Sequence, residues 1–180
     1  MDKQNAALVK KAIKGNQKAF EKLVKQESEK LYKTAFLYVR NKEDALDVVQ
    51  DTVCKALVSV HQVKQPEFFS TWLTRILIRT AYDVLRRKNQ LIIDDELADA
   101  LPAEQGPDIE GRLDVKEAIA ALRADYQSVI ILFYYHDYPI QQISRTLEIP
   151  ENTVKTQLRR AKLELKKILE GIEHVEQRAY

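Results

Sequence analysis

Apolar positions recur every three or four residues along most of this chain, the spacing that gathers them on one face of a helix. In residues 4–14 they are Leu8, Val9, Ala12 and Ile13; in 17–39 they are Phe20, Leu23, Val24, Leu31, Ala35 and Tyr38. Residues 43–60 carry Ala45, Val49, Val53, Ala56 and Val60. A fourth helix, predicted at about 69–88, opens with Phe69, Trp72, Leu73, Ile76 and Leu77 and ends in Arg86-Arg87-Lys88. Gly15-Asn16 and Asn41 separate the first three, and the loop HQVKQPE (61–67), which contains Pro66, precedes the fourth. Four such stripes can close a bundle. No window keeps a strand's alternation. The run IILFYY (130–135) would suit a buried strand, but its place among helices favours helix.

The periodicity lapses over 89–111, where Pro102, Gly106, Pro107 and Gly111 punctuate the chain. This stretch holds Asp94, Asp95, Glu96, Asp99, Glu104, Asp108 and Glu110, with no lysine or arginine. It reads as a flexible acidic linker. Helices resume at about 112–123 and 126–136. The expected architecture is all-α, with a helical domain at 1–90, a linker at 91–111 and a second helical domain at 112–172.

The richest segment is Tyr138 to Lys167, YPIQQISRTLEIPENTVKTQLRRAKLELKK. An apolar helix, Ile140 to Leu147, stops at Glu148-Ile149-Pro150, and Asn152 or Thr153 can cap the helix that follows. On this second helix Val154, Leu158, Ala161, Leu165 and Ile168 form a buried stripe, while Lys155, Arg159, Lys162 and Lys166 recur beside it. A short helix pair with a basic second helix is a helix-turn-helix suited to the DNA major groove; a hairpin with a solvated basic face has the same pattern.

Charge and composition narrow the picture. The net charge is only +2, so basicity resides in clusters rather than overall. Hydrophobic residues make up 45% of the chain, as in globular proteins, and four glycines and five prolines suit long helices. Cys54 is the single cysteine; it rules out an internal disulfide, fits a reducing cytoplasm and reads as a small apolar helix residue. No apolar run approaches the ~18 residues of a membrane span, and the first residues lack a signal-peptide core, so a soluble, cytoplasmic protein is expected. His61, His136 and His174 stand apart with no ligand at metal spacing. With no glycine-rich phosphate loop or nucleophile elbow either, the expectation is no metal, no cofactor, no small-molecule substrate and no enzyme.

Two surfaces could carry recognition. Opposite the stripe of 43–60, Asp44, Asp47, Gln50 and Asp51 share a face beside Leu46, either solvated or a docking face for a basic partner. The loop 61–70, with His61, Lys64, Phe68 and Phe69, could touch single-stranded DNA. Trp72 could stack on a base or belong to the core.

In order and spacing, DALDVVQDTVCKAL (44–57), FSTWLTRILIRTAYDVLRR (69–87), an acidic linker and TVKTQLRRAKLELKKIL resemble an extracytoplasmic function (ECF) RNA polymerase sigma factor, with regions two and four only. The resemblance spans about residues 10–170. It implies that region two binds core polymerase and the minus-ten promoter element, and that region four binds the minus-thirty-five element. The LDLVQE-like segment that docks on the beta-prime coiled coil corresponds to Leu46, Asp47, Val48, Val49, Gln50 and Asp51, flanked by Asp44. Minus-ten DNA would meet His61, Lys64, Phe68, Phe69, Arg79, Asp83, Arg86 and Arg87, the loop capturing a flipped base. Minus-thirty-five DNA would meet Asn152, Thr153, Lys155, Thr156, Arg159 and Arg160. Further implied partners are the beta flap and an anti-sigma factor, often membrane-anchored, in a response to envelope stress. The linker would thread toward the polymerase active-centre cleft. The chain departs from the family at Arg79, where many members have asparagine, and at Glu148, where helix-turn-helix turns often have glycine. The competing classes are a stand-alone helix-turn-helix regulator with a helical sensor domain and an adaptor that binds only proteins; the latter leaves the basic helix unexplained.

Overall fold

Two asparagines set where the long amino-terminal helices begin. In the computed structural model, which describes residues 3–95 and 115–176, Asn16 Oδ1 accepts from the Ala19 amide at 2.9 Å, and Asn41 Oδ1 from the Asp44 amide at 3.0 Å. The helices are α1 (Lys3–Ile13), α2 (Gln17–Val39), α3 (Lys42–Ser59) and α4 (Phe69–Asp95). Two short 3-10 turns, Val60–Gln62 and Pro66–Phe68, fill the predicted loop. Gly15 takes φ +87°, which no β-carbon opposes, between α1 and α2. Helix α2 packs against α1, α3 and α4, and Phe20, Leu23, Ala35, Val48, Leu73 and Leu77 are buried among them.

The carboxyl-terminal half comprises α5 (Val115–Ala120), α6 (Ala124–Ile130), a wide π-type turn at Ile131–Tyr135, α7 (Ile140–Leu147) and α8 (Glu151–Glu176). No strand occurs among the described residues, so IILFYY is helical and the all-α expectation holds. Helix α8 packs against α5, α6 and α7, while α7 also lies against α4, bringing the two halves into contact.

Four expectations shift. Helix α4 continues past 88 to Asp95, because no glycine or proline interrupts it before Pro102. Residues 91–95 are therefore helix rather than linker; the remainder of the predicted linker, 96–111, lies outside the described residues. The buried stripe of α3 is Ala45, Val48, Thr52 and Ala56, with Val49 and Val53 only half-buried at its flank. Thr52 escapes a hydropathy count because its hydroxyl donates to the Val48 carbonyl at 2.6 Å and needs no water. That rotation leaves Cys54 exposed rather than packed. Finally, α8 starts at Glu151, with the Pro150 carbonyl accepting from the Val154 amide at 3.1 Å. Asn152 and Thr153 thus sit inside the first turn instead of capping it.

Candidate nucleic-acid interface

The turn between α7 and α8 requires a left-handed residue, and here it is Glu148, at φ 58° and ψ 41°. The Ser144 carbonyl accepts the Ile149 amide at 3.2 Å, and the Ser144 hydroxyl donates back to the Ile149 carbonyl at 2.6 Å, which fixes the angle at which α8 leaves. Val154, Leu158 and Ala161 are buried, and by helical geometry Asn152, Lys155, Thr156, Arg159 and Arg160 are exposed. Thr153 is half-buried. Two members of the basic stripe are otherwise engaged. Lys162 lies over the rings of Phe133 and Tyr134 at 5.2 and 5.3 Å, and Lys166 pairs with Glu170 at 3.3 Å. A cleft of about 380 Å³ beside Asn152, Thr156 and Arg160 is also lined by Arg123. Arg123 is absent from the sequence candidates because it is distant in sequence from the recognition helix.

On the amino-terminal half, His61 and Lys64 are exposed in the loop before α4. The Phe68 ring is half-buried and carries the Arg145 guanidinium of α7 at 4.7 Å from its centroid. Phe69 is only 2% exposed. Its ring is a core side chain and has no surface to offer a base, which removes it from the expected DNA contacts. Trp72 is half-buried, 5.7 Å from Phe69, and packs against the core. Along α4, Arg79, Asp83, Arg86 and Arg87 keep roughly half or more of their side-chain surface.

The acidic face of α3 divides in two. Leu46 is 59% exposed, with Asp47 and Gln50 exposed beside it. Asp51 reaches Arg87 at 4.0 Å. Asp44 has a side chain only 15% exposed and is tied to Lys88, so its role in this structure is to hold α3 against α4. Asp47, Gln50, Asp51, Val84, Arg87 and Lys88 line a groove of about 480 Å³.

Between the halves runs a polar seam that the sequence pattern does not reveal. The Tyr82 hydroxyl donates to the Ala124 carbonyl at 2.5 Å. With that proton used, Ser128 must donate to Tyr82 at 2.8 Å and accept from Tyr38 at 3.2 Å. Burial accordingly pushes the Tyr82 hydroxyl up to about 12, and Tyr38 well above its ordinary value. The same reasoning fixes His136. Thr34 gives its proton to the Lys30 carbonyl at 2.7 Å, so His136 Nε2 donates to Thr34 Oγ1 at 2.9 Å. Nδ1 is then a bare, buried acceptor without a partner. A second proton would be stranded there, and burial, aided by Lys30, lowers the imidazole to about 3.

An all-α chain that sets an exposed basic row on the second helix of a helix-turn-helix has the build of a DNA-binding protein, and it carries a partly ion-paired acidic face on α3. Family models for sigma-70 region 2 and sigma-70 region 4 match residues 23–90 and 112–165. RNA polymerase sigma factor SigV of Bacillus subtilis is 40% identical over 131 residues, covering 72% of this chain and 78% of that protein. The ECF RNA polymerase sigma factor SigW of the same organism is 28% identical over 179 residues, 91% and 96% of the two chains. The fold matches CnrH bound to the cytosolic domain of CnrY (24% identity, TM-score 0.71, 93% of this chain and 97% of that one). It also matches the sigma factor RpoE bound to the anti-sigma factor NepR of Bartonella quintana (24% identity, TM-score 0.70, 85% and 98%). The chain belongs to the sigma-70 family, in its ECF group: promoter-specificity subunits of RNA polymerase rather than enzymes.

Proposed function

We propose that residues 1–90 act as region two and 112–172 as region four, with distinct surfaces for polymerase and for each promoter element. Leu46, Asp47, Gln50 and Asp51 dock on the beta-prime coiled coil, an apolar anchor ringed by acids that suits a basic helical partner. His61, Lys64 and Phe68 take the melted minus-ten strand, with Arg79, Arg86 and Arg87 along its phosphates and Asp83 between them, paired with Lys55 and Arg86. Region four docks on the beta flap. Lys155, Thr156, Arg159 and Arg160, with Asn152 and Thr153 at the helix start, meet the minus-thirty-five major groove. Arg123, across the cleft from Arg160, adds a phosphate contact.

The observation that carries this reading is the exposed row Lys155, Thr156, Arg159 and Arg160 on a helix whose opposite face is buried. The protein works in the cytoplasm; no helix among the described residues is long and apolar enough to cross a membrane. An anti-sigma factor, anchored in the membrane and released by envelope stress, holds it inactive, a reading supported by the match to RpoE bound to its anti-sigma factor NepR.

The test is run-off transcription with bacterial core polymerase and a pool of promoter fragments, with and without this protein. Discrete transcripts that need both components are expected. Folded protein that neither binds core nor yields transcripts, yet binds an operator alone, would replace this reading with a stand-alone regulator.

A further inference from the structure

The seam does more than join the halves. Three side chains of the α7 end, Gln142, Arg145 and Glu148, are spaced three residues apart, and all reach the surface formed by α4 and the loop before it. Glu148 places one carboxylate oxygen 2.5 Å from Arg75 Nη1 and the other 2.6 Å from Arg79 Nη2. Arg145 lays its guanidinium on the face of Phe68, 4.7 Å from the ring centroid. Gln142 Nε2 donates to Thr71 Oγ1 at 3.0 Å. Beneath the two arginines the halves leave a cleft of about 320 Å³, lined by Ile78, Tyr82, Leu147 and Ile149, so the contact is a clamp over a gap.

In chemical terms these contacts imitate single-stranded DNA. A carboxylate bridging two guanidiniums one helical turn apart occupies the place of a phosphate. A planar cation on an aromatic face occupies the place of a stacked base. We propose that Arg75 joins Arg79 and Phe68 as a contact for the minus-ten strand, and that in the free protein Glu148 and Arg145 occupy this surface in cis. This rests on the minus-ten assignment above and deepens it. The two residues that depart from the family pattern, Arg79 and Glu148, are thereby partners of each other.

Geometry requires that the clamp open. Elements centred near minus ten and minus thirty-five are separated by about 25 base pairs, roughly 85 Å of B-form duplex at ~3.4 Å per step. A recognition helix whose preceding turn touches α4 cannot lie on one element while α4 lies on the other. Minus-thirty-five binding therefore withdraws Glu148 from Arg75 and Arg79, and uncovers them for the strand.

The experiment uses the full chain without polymerase and a fluorescein-labelled 12-nucleotide oligo(dT), because phosphate and stacking contacts are sequence-tolerant. Glu148→Gln, and Glu148→Gln with Arg145→Ala, should tighten binding by about 2–10-fold, as expected for releasing partly exposed ion pairs. The salt dependence should steepen by ~0.7 in the log–log slope for each additional phosphate that is neutralised. Adding Arg75→Ala and Arg79→Ala should abolish the tightening. Thermal melts establish that each variant is folded. Unchanged affinity and slope in the Glu148→Gln/Arg145→Ala protein, or tightening that survives loss of both arginines, overturns the proposal. Run-off transcription by the wild type separates the levels: if it initiates but the variants bind no tighter, only the masking fails; if it does not initiate, the promoter assignment itself falls.

Discussion

Mild acid should loosen the seam between the halves through a single imidazole. His136 is held neutral, its value lowered to about 3 from 6.5, by burial and by Lys30. Around it stand Lys30 and Glu27 on α2, uncharged Leu73, Thr74 and Leu77 on α4, and the rings of Tyr135 and Tyr138 on its own segment. Opening the seam exposes the ring and restores an ordinary value, so the opened state binds the extra proton between pH 6.5 and 3. The closed state is at full strength above 6.5 and weakens as pH falls. At pH 5 the penalty works out at about 2 kcal/mol, roughly a 30-fold shift toward the opened form. Most carboxylates of ordinary pKa are still ionised at pH 5, and replacement of the imidazole separates its share from theirs. The assay is resonance energy transfer between a dye on exposed Cys54 and a second on Lys166→Cys, both exposed in the structure. Transfer should fall between pH 7 and 5 with helical circular dichroism preserved, and His136→Asn should flatten the response. An unchanged distance, or the same slope without the imidazole, would refute the assignment of His136 as the titrating group.

Arg159→Ala should remove about 1–3 kcal/mol of discrimination at one minus-thirty-five base pair, read from a base-substitution series; an unchanged preference removes Arg159 from the readers. Asp47→Lys should weaken core-polymerase binding at least tenfold in a competition assay while leaving the thermal midpoint unchanged, because this exposed carboxylate sits outside the core. Leu77→Ala, at a fully buried position, should cost about 2–5 kcal/mol in denaturant unfolding. Asn16→Ala should cost ~1 kcal/mol by removing the cap of α2.

Helix content is legible because the stripes of α2, α4 and α8 are long and uniform, and asparagine breaks coincide with caps. The phase of α3 is not, because Thr52 behaves as a core residue and Val49 does not; a local hydroxyl-to-carbonyl bond hides polarity from hydropathy. The basic run at 86–88 suggests an end to α4, but lysine and arginine are good helix formers and nothing there breaks the helix. Within the candidate interface, the exposed recognition row on α8 follows from periodicity alone. Phe69 receives two signals, a place in the apolar stripe of α4 from periodicity and a DNA contact from the resemblance, and packing decides for the first. The seam is invisible for a different reason. Thr34, Ser128, Gln127 and His136 have ordinary sequence neighbours, and pair only once two distant helices meet.

Those hydroxyls also bear on how the protein survives separation. An interface closed by grease alone would, on parting, present sticky apolar faces to every neighbour in a crowded cell. Here the apolar contact is interspersed with Thr34, Tyr38, Thr71, Tyr82 and Ser128, groups that water accepts readily in exchange. On the opening proposed above, each of these groups exchanges a protein partner for water, so parting the halves bares less unsatisfied surface than an all-apolar seam would.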